Sequence, residues 1–134
     1  MDILTPAQKK QLRTLEKQGV FRLAVQNAYN HIIITDTKGT ILYANQATQR
    51  ITGYAQREII GHNPRLWGGQ MPVTFYKKLW KCIAEDRNPF IGEVTNRRND
   101  GKKYRARITV SPMVKEDGTL LGFIGIEEEV RKQR

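Results

Sequence analysis

The chain has 134 residues, of which 39% are hydrophobic and 27% charged, and its formal net charge is +10. This balance is typical of one globular domain and excludes a disordered chain, and no apolar run approaches the ~18 residues of a membrane span. The single cysteine, Cys82, excludes an internal disulfide and a site with several cysteine ligands. The N-terminus has no apolar signal core, so we expect a cytoplasmic protein.

Two helices are predicted ahead of the first strand. Thr5 is a suitable N-cap and Pro6 suits the first helical position, so one helix begins there and is interrupted at Gly19. A second helix covers residues 20–27. Because the apolar residues of this region have no obvious place in a sheet core, we expect residues 1–19 to form an amphipathic cap that supplies much of a dimer contact.

The next segment predicts a β-hairpin followed by short helices. The β-branched run from His31 to Asp36 and the run from Thr40 to Ala44 are two strands joined by a turn that Asp36 organises. Asn45 is the expected N-cap of a helix from Gln46 to Ile51, which Gly53 stops. Another short helix covers residues 56–60.

A longer helix is predicted from Met71-Pro72 to about Glu85, before Pro89 breaks it. Four apolar residues of this helix have i, i+3, i+4 and i+7 spacing, so we expect them to share one buried face. They are Tyr76, Leu79, Trp80 and Ile83.

The last third predicts three strands, namely residues 90–98, 102–113 and 119 to about 130. In the middle strand the alternation places Tyr104, Ala106, Ile108 and Val110 on one face and basic residues on the other. The order of elements predicts an α+β fold: an antiparallel five-stranded sheet with short helices inserted between its second and third strands, preceded by an N-terminal helix.

Two long stretches resemble the PAS family of sensory domains. ITDTKGTILYANQATQRITGYAQREIIGHNP resembles the first half of such a domain, and NRRNDGKKYRARITVSPMVKEDGTLLGFIGI resembles the second half. The signatures TDxxGxIxYxN, TGY, GxNP, NRRxDG and SPxxxxDG occur in order, and the likeness covers residues 20–130. It implies the PAS fold, with a pocket between sheet and helices. It also implies a sensory and dimerisation role, usually inside a longer signalling protein such as a histidine kinase or a diguanylate cyclase.

The resemblance also concerns the exit of the last strand. Many PAS domains carry Asp-Ile-Thr there, where this chain has Glu129, Val130 and Arg131. The acidic residue is kept in type and the threonine is not. We expect residues 131–134 to begin a C-terminal connector to an effector domain.

Two cofactor classes of the family are not expected here. The light-sensing flavin branch (LOV) has a cysteine where this chain has Pro64, so a LOV-type FMN adduct cannot form there, and Cys82 on the following helix does not replace it. The haem-binding branch uses a histidine on the long helix, and this helix contains none. His31 and His62 are therefore interpreted as structural or solvent-exposed residues.

The FAD-binding, redox-sensing branch is closer to this chain. Its Leu-Trp pair and its NRR hairpin are matched by Leu79-Trp80 and Asn96-Arg97-Arg98. Its Pro-Trp is replaced by Pro89-Phe90, which keeps an aromatic face but loses the indole N–H donor. FAD is therefore an alternative rather than an assured cofactor.

The loop GHNPRLWGGQ, residues 61–70, carries most of the candidate ligand contacts. Asn63 could hydrogen-bond a ligand, Arg65 could pair with a carboxylate or phosphate, and Trp67 could close the pocket. The structural alternative, which we favour, is that Asn63 braces the loop, Arg65 is solvated and Trp67 packs on the core. The candidate cofactor-binding residues are Asn63, Arg65, Trp67, Trp80, Phe90 and Asn45; no metal site is expected.

The sequence contains no catalytic constellation, so we do not expect an enzyme. The run Glu127 to Glu129 is interpreted as a solvated face. The favoured function is a sensory and dimerisation module, a homodimer that passes a ligand- or partner-induced change to an attached effector. An FAD-binding redox sensor is the alternative. Nucleic-acid binding by the basic segment from Arg97 to Arg107 is third, because no nucleic-acid-binding motif accompanies the charge.

Overall fold

A computed structural model describes residues 3–131 of the chain, and its helices begin and end close to the predicted signals. The α-helices are α1 (Pro6–Lys17), α2 (Val20–Asn27), α3 (Gln46–Thr52), α4 (Gln56–Ile59) and α5 (Val73–Trp80). A 3-10 turn covers Pro64–Leu66, and a π-helical turn covers Lys81–Glu85. The strands are β1 (His31–Thr35), β2 (Ile41–Ala44), β3 (Phe90–Arg97), β4 (Lys103–Val114) and β5 (Leu120–Glu129).

The five strands form one antiparallel sheet in the order β2-β1-β5-β4-β3. The last strand therefore lies in the middle of the sheet, between β1 and β4. Helices α3 to α5 come between β2 and β3 along the chain, and α1 and α2 precede the sheet. The predicted α+β architecture is confirmed.

Gly122 allows β5 to come close to the end of β1. A Cβ atom on this residue would lie 2.0 Å from the carbonyl oxygen of Thr35, so no other residue fits without a backbone shift. The pairing of β4 with β5 also shifts register beside it, between Met113 and Val114. This close approach fixes how the middle strand enters the sheet.

The hydrophobic core consists of two clusters on the inner face of the sheet. One joins Ile33, Ile41 and Ala44 to Ile59 of α4 and to Trp67 in the loop after it. The other is built by the inward residues of β3 and β4, and the predicted alternation of β4 is confirmed because Tyr104, Ala106 and Ile108 are buried. A space is left between the clusters.

The two N-terminal helices contribute little to this core. A reciprocal capping box between Thr5 and Gln8 starts α1, and none of its residues is buried. Leu12 and Leu15 remain 36% and 39% exposed. Helix α2 contacts the sheet through Tyr43, whose hydroxyl donates to Gln26. The prediction that residues 1–19 cap a dimer stays a prediction, and residues 1 and 2 lie outside the described part.

The long helix differs from the sequence-based expectation in two respects. Pro72 is the cap and α5 begins at Val73, and the last turn widens to π geometry, with Asp86 N–H bonded to the Lys81 carbonyl at 2.9 Å. The expected common buried face is wrong at Trp80, which is 43% exposed, whereas Ile83 is 1% exposed. Trp80 packs against Phe123 of β5, with ring centroids 5.4 Å apart, and leaves the rest of its indole exposed to solvent.

Candidate functional site

A cavity of about 560 Å³ occupies the space between the inner face of the sheet, helix α5 and the loop of residues 61–70. Its size falls within the ~300–1,000 Å³ of typical small-molecule pockets. Most of its wall is apolar. The aliphatic and aromatic residues include Ile33, Leu79, Ile83, Ile108, Val110 and Phe123.

Three polar side chains from three different strands meet in the wall of this pocket on the sheet side. His31 comes from β1, Asn96 from β3 and Glu127 from β5; His31 and Asn96 are only 1% and 3% exposed. The pairing of β1 with β5 places His31 directly beside Glu127. Inward-facing positions of three strands therefore create one buried polar group, which we call the polar pole.

The polar pole is incompletely hydrogen-bonded within the described chain. Asn96 Nδ2 donates to Glu127 Oε1 at 3.3 Å. His31 Nδ1 lies 3.3 Å from Glu127 Oε2, but both atoms and His31 Nε2 lack an aligned hydrogen bond. Buried polar atoms without partners cost free energy unless a ligand or water pairs with them. These atoms can therefore pair with a bound molecule.

Burial disfavours the charged form of both titratable groups in the polar pole. It raises the pKa of Glu127 from 4.5 to about 7, against a smaller lowering by the hydrogen bond from Asn96. It lowers the pKa of His31 from 6.5 to about 3. The expectation of a solvated acidic run is therefore wrong at Glu127, whose side chain is 13% exposed, although Glu128 is exposed. The middle position of β5 in the sheet is what buries this carboxyl.

The GHNPRLWGGQ loop both packs on the core and lines the pocket. Asn63 caps the 3-10 turn by accepting from Arg65 N–H at 3.0 Å, and its own amide donates to the Gly39 carbonyl at 3.4 Å. Trp67 is 2% exposed and meets His31 edge-to-face, with ring centroids 5.1 Å apart. The two interpretations offered for this loop are thus compatible.

Helix α5 holds the far end of this loop. The Tyr76 hydroxyl accepts hydrogen bonds from the backbone N–H groups of Gly69 and Met71, at 2.9 and 3.2 Å. Arg65 and Lys77 also line the pocket, and both are exposed. The pocket therefore has a buried polar pole on the sheet side and two cations near its solvent-exposed rim.

Four of the six predicted candidates lie together, and two do not. Asn63, Arg65, Trp67 and Trp80 line the pocket. Asn45 is fully buried in a separate hydrogen-bonded cluster, where it caps α3 as predicted. Phe90 packs edge-to-face on Phe75, with centroids 5.4 Å apart, and is not part of the pocket lining.

The polar pole was missed as a site by sequence reasoning. Asn96 was noted only within the NRR match, and His31 and Glu127 were assigned structural or solvated roles. The period-two alternation of β5 from Phe123 does place Glu127 on the same face as Phe123. This alternation was not used, because Glu127 was grouped with Glu128 and Glu129 as one solvated acidic run.

The exit of β5 carries a second set of ionic contacts. Glu129 pairs with Arg98, whose guanidinium also donates to the Ile51 carbonyl and lies 4.2 Å above the Tyr104 ring. This pair borders a second, more polar cavity, which includes Arg131. Residues 132–134 of the predicted connector lie outside the described part of the chain.

Residues 3–131 contain neither a cluster of metal-ligating side chains nor a membrane-spanning helix. No group of three or more His, Cys, Asp or Glu side chains in this range could hold a metal ion. Within the same residues, no helix is long and apolar enough to cross a membrane. Cys82 lies on the π-helical turn, outside the pocket lining, with its sulfur 3.4 Å from the Pro89 carbonyl.

Comparisons with known proteins agree with this architecture. The family model described as the PAS fold matches residues 20–130. The nitrogen fixation regulatory protein of Klebsiella oxytoca is 31% identical over 118 residues, which is 87% of this chain and 24% of that protein. Blue-light-activated histidine kinase 1 of Erythrobacter litoralis is 36% identical over 91 residues, or 67% of this chain and 25% of that protein. This chain therefore spans about a quarter of either relative.

A solved structure shows the same fold. The PAS domain of a protein from Colwellia psychrerythraea superposes with a TM-score of 0.74 at 19% identity. The match covers 87% of this chain and 97% of that domain. At this identity the likeness concerns the fold alone.

Proposed function

The chain belongs to the PAS family, and we propose that it is a sensory module that binds a small molecule and passes the resulting change to an attached effector. One observation carries the proposal: an apolar cavity of about 560 Å³ whose sheet-side wall holds buried polar atoms without partners. A pocket filled by its own side chains would leave no such space. We assign it no catalytic step.

The wall chemistry favours a planar heteroaromatic ligand with an anionic substituent. Flat apolar walls from β4, β5 and α5 suit an aromatic body, and the polar pole suits ring heteroatoms. Arg65 and Lys77 suit a phosphate or carboxylate near the rim.

The middle strand offers a route for the signal. Phe123, Gly125 and Glu127 of β5 line the pocket, and two residues further Glu129 pairs with Arg98. A ligand that shifts β5 would act on this pair and on the chain that leaves the sheet. The effector that we propose is a histidine kinase or a diguanylate cyclase, in a homodimer joined through the N-terminal helices; a relative carries the name of a histidine kinase.

A flavin is the second, more specific candidate. The unpartnered atoms of Glu127 and His31 fit the donor and acceptor edge of a flavin ring, and a relative is named as activated by blue light. Asn96 and Glu127 would hold the ring, and Arg65 and Lys77 a phosphate. The flavin would supply light absorption or redox chemistry. Pro64 lines the pocket and has no nucleophile, so flavin binding would be non-covalent.

The first experiment is an absorbance spectrum of the purified protein from 300 to 600 nm, repeated after adding FAD, FMN or haem. Flavin bands that remain with the protein after gel filtration support the flavin candidate. The matched pair of variants is Val110→Trp, which fills the pocket, and Thr109→Trp on the opposite face of the same strand. Retention by the second variant alone locates the flavin in this pocket, and equal retention by both contradicts the proposed site.

A spectrum without bands before and after addition leaves colourless ligands. The same pair of variants then serves in a thermal-shift screen of aromatic acids and nucleotides. Ligands that stabilise the wild type and Thr109→Trp but not Val110→Trp support the sensory proposal. The sensory proposal is contradicted if no compound stabilises the protein and if Val110→Trp, which fills the pocket, makes the protein more stable.

A further inference from the structure

The carboxyl of Glu127 is a largely buried acidic group in the wall of this pocket. It lies on the middle strand of the sheet, faces the cavity and is 13% exposed. Among residues 3–131 it receives one aligned hydrogen bond, from Asn96 Nδ2 to Oε1, while Oε2 lies 3.3 Å from His31 Nδ1 without an aligned bond. A carboxylate normally accepts several hydrogen bonds, so a single donor leaves its charged form poorly compensated.

We propose that Glu127 binds the ligand as a neutral carboxylic acid, donating its hydrogen to an acceptor atom on the ligand, so that occupancy of the pocket is coupled to uptake of a proton. The ligand class is a planar heteroaromatic with a carbonyl oxygen or unprotonated ring nitrogen directed at Oε2. The inference rests on the proposed ligand-binding function and adds to it the protonation state and the residue that select the ligand.

The geometry supports the neutral form in the bound state. A ligand that fills the cavity removes the water that could otherwise solvate Oε2, and apart from the unaligned His31 Nδ1 at 3.3 Å the wall is mostly apolar. Loss of this solvation disfavours the charged form of a carboxyl. An O–H group directed at a ligand acceptor satisfies both atoms instead, so the bound state retains the proton.

The groups around Glu127 leave it as the residue that responds to pH near neutrality. His31 faces it from β1, and burial lowers the pKa of that imidazole to about 3. Tyr104 faces it from β4. The pKa of that phenol is raised above its ordinary value, mainly by burial and to a smaller extent by the negative charge of Glu127. Asn96 of β3 has no ionisable proton, and the Arg98–Glu129 pair lies beyond Tyr104. Arg65 and Lys77 are the charged groups across the cavity.

The test measures riboflavin affinity by fluorescence at pH 6, 7 and 8 for the wild type, Glu127→Gln and Glu128→Gln. Riboflavin has no phosphate, so the cations at the rim do not contribute an ion pair. With a Glu127 pKa of about 7, affinity should fall ~10-fold between pH 6 and pH 8 in the wild type and in Glu128→Gln. Glu127→Gln keeps an N–H donor at every pH. Its riboflavin affinity should therefore be the same at pH 6, 7 and 8.

The other outcomes distinguish failure of the Glu127 inference from failure of the proposed ligand. Riboflavin binding that is independent of pH in the wild type, or equally pH-dependent in Glu127→Gln, overturns the inference and leaves the ligand-binding function intact. Absence of riboflavin binding to every variant overturns the flavin candidate. The inference is then decided by the ¹³C chemical shift of the Glu127 carboxyl, assigned with Glu127→Gln and followed from pH 4 to 9. A midpoint near neutrality supports the inference, and a carboxyl already ionised at pH 5 overturns it.

Discussion

Two buried polar clusters in this molecule differ in one property, the completeness of their hydrogen bonds. The first surrounds Asn45, between β1 and α3. Its side-chain oxygen accepts from the N–H groups of Ile32 and Thr48, at 2.9 and 3.2 Å. Its amide donates to the carbonyls of Val25 and Asn30, at 2.9 and 2.8 Å. Asn45 thus joins α2, β1 and α3, and every polar atom of its side chain has a partner.

The second cluster is the polar pole of the pocket. Its residues are as deeply buried on β1 and β3 as Asn45 is, yet atoms of His31 and Glu127 lack aligned partners. The difference follows from what faces each cluster. Backbone of neighbouring elements covers Asn45, whereas open space faces the polar pole. A satisfied cluster stabilises the fold, and an unsatisfied one beside a cavity indicates a place for a ligand.

Replacing the two asparagines measures this difference directly, and the largest effect is expected at Asn45. Asn45→Ala removes five hydrogen bonds, among them those made to the buried Ile32 N–H and the Asn30 carbonyl, so the free energy of unfolding should fall by about 4 kcal/mol. Asn96→Ala removes one bond beside a cavity that water can enter, and should cost about 1 kcal/mol. Urea unfolding followed by circular dichroism measures both. Equal losses in the free energy of unfolding would mean that the two clusters stabilise the fold to the same extent.

The polar pole should also make stability depend on pH. Between pH 4.5 and about 7 the folded chain keeps the Glu127 proton that the unfolded chain releases. The contribution of this group to the free energy of unfolding should therefore fall by roughly 3 kcal/mol as pH rises through that window. Glu127→Gln removes this loss, so its stability relative to the wild type should rise between pH 5 and pH 8. Glu128→Gln is the control, and urea unfolding at the two pH values measures the change.

His31 gives the opposite trend in acid. Its folded pKa of about 3 lies below the ordinary 6.5, so the unfolded chain binds a proton that the folded chain does not. Its contribution to stability should fall as pH falls from 6.5 towards 3. Glu127 and His31 together predict greatest stability between about pH 4.5 and pH 6.5. In His31→Asn the acid limb should become shallower in the same unfolding experiment; an unchanged limb would assign the acid loss to other groups.

The rim of the pocket should act on affinity rather than on stability. Arg65→Ala and Lys77→Ala should each weaken FMN binding about 3-fold at low salt, because exposed ion pairs contribute up to ~1 kcal/mol. Riboflavin, which lacks the phosphate, should bind these variants like the wild type. Isothermal titration with FMN and with riboflavin separates the contribution of the phosphate from that of the ring. A similar loss for riboflavin would show that these side chains contact the ring instead.

The smallest effect on folding is expected far from both clusters, on α1. Leu12 and Leu15 are exposed, so the double change to glutamine should alter the free energy of unfolding by less than about 0.5 kcal/mol. If α1 forms the dimer contact, light scattering should show a shift from dimer towards monomer. Arg13→Gln on the same helix is the control. A wild type that stays monomeric at high concentration contradicts the dimer prediction.

Sequence patterns specified the local structure of this protein well. The Asn45 cap, the Thr5-Pro6 start of α1 and the alternation of β4 are signals between residues close in the chain, so the backbone reproduces them. The order of elements then predicted the sheet and the insertion of helices between β2 and β3, and the PAS resemblance implied the same fold. Residues 61–70 were predicted as a loop from their glycines and proline, with packing of Trp67 on the core favoured over ligand contact; Trp67 does pack on the core and also lines the pocket.

The polar pole was decided by tertiary structure. His31, Asn96 and Glu127 come from strands that are distant along the chain and adjacent only through the β2-β1-β5-β4-β3 order. The sequence alone determined that Glu127 is an acid within a predicted strand, and it was interpreted there as part of a solvated face. Only the position of that strand in the middle of the sheet, facing a cavity, removed its solvent. The pKa of a carboxyl depends on the water and charges around it, and those are fixed by the fold rather than by the neighbours in the chain.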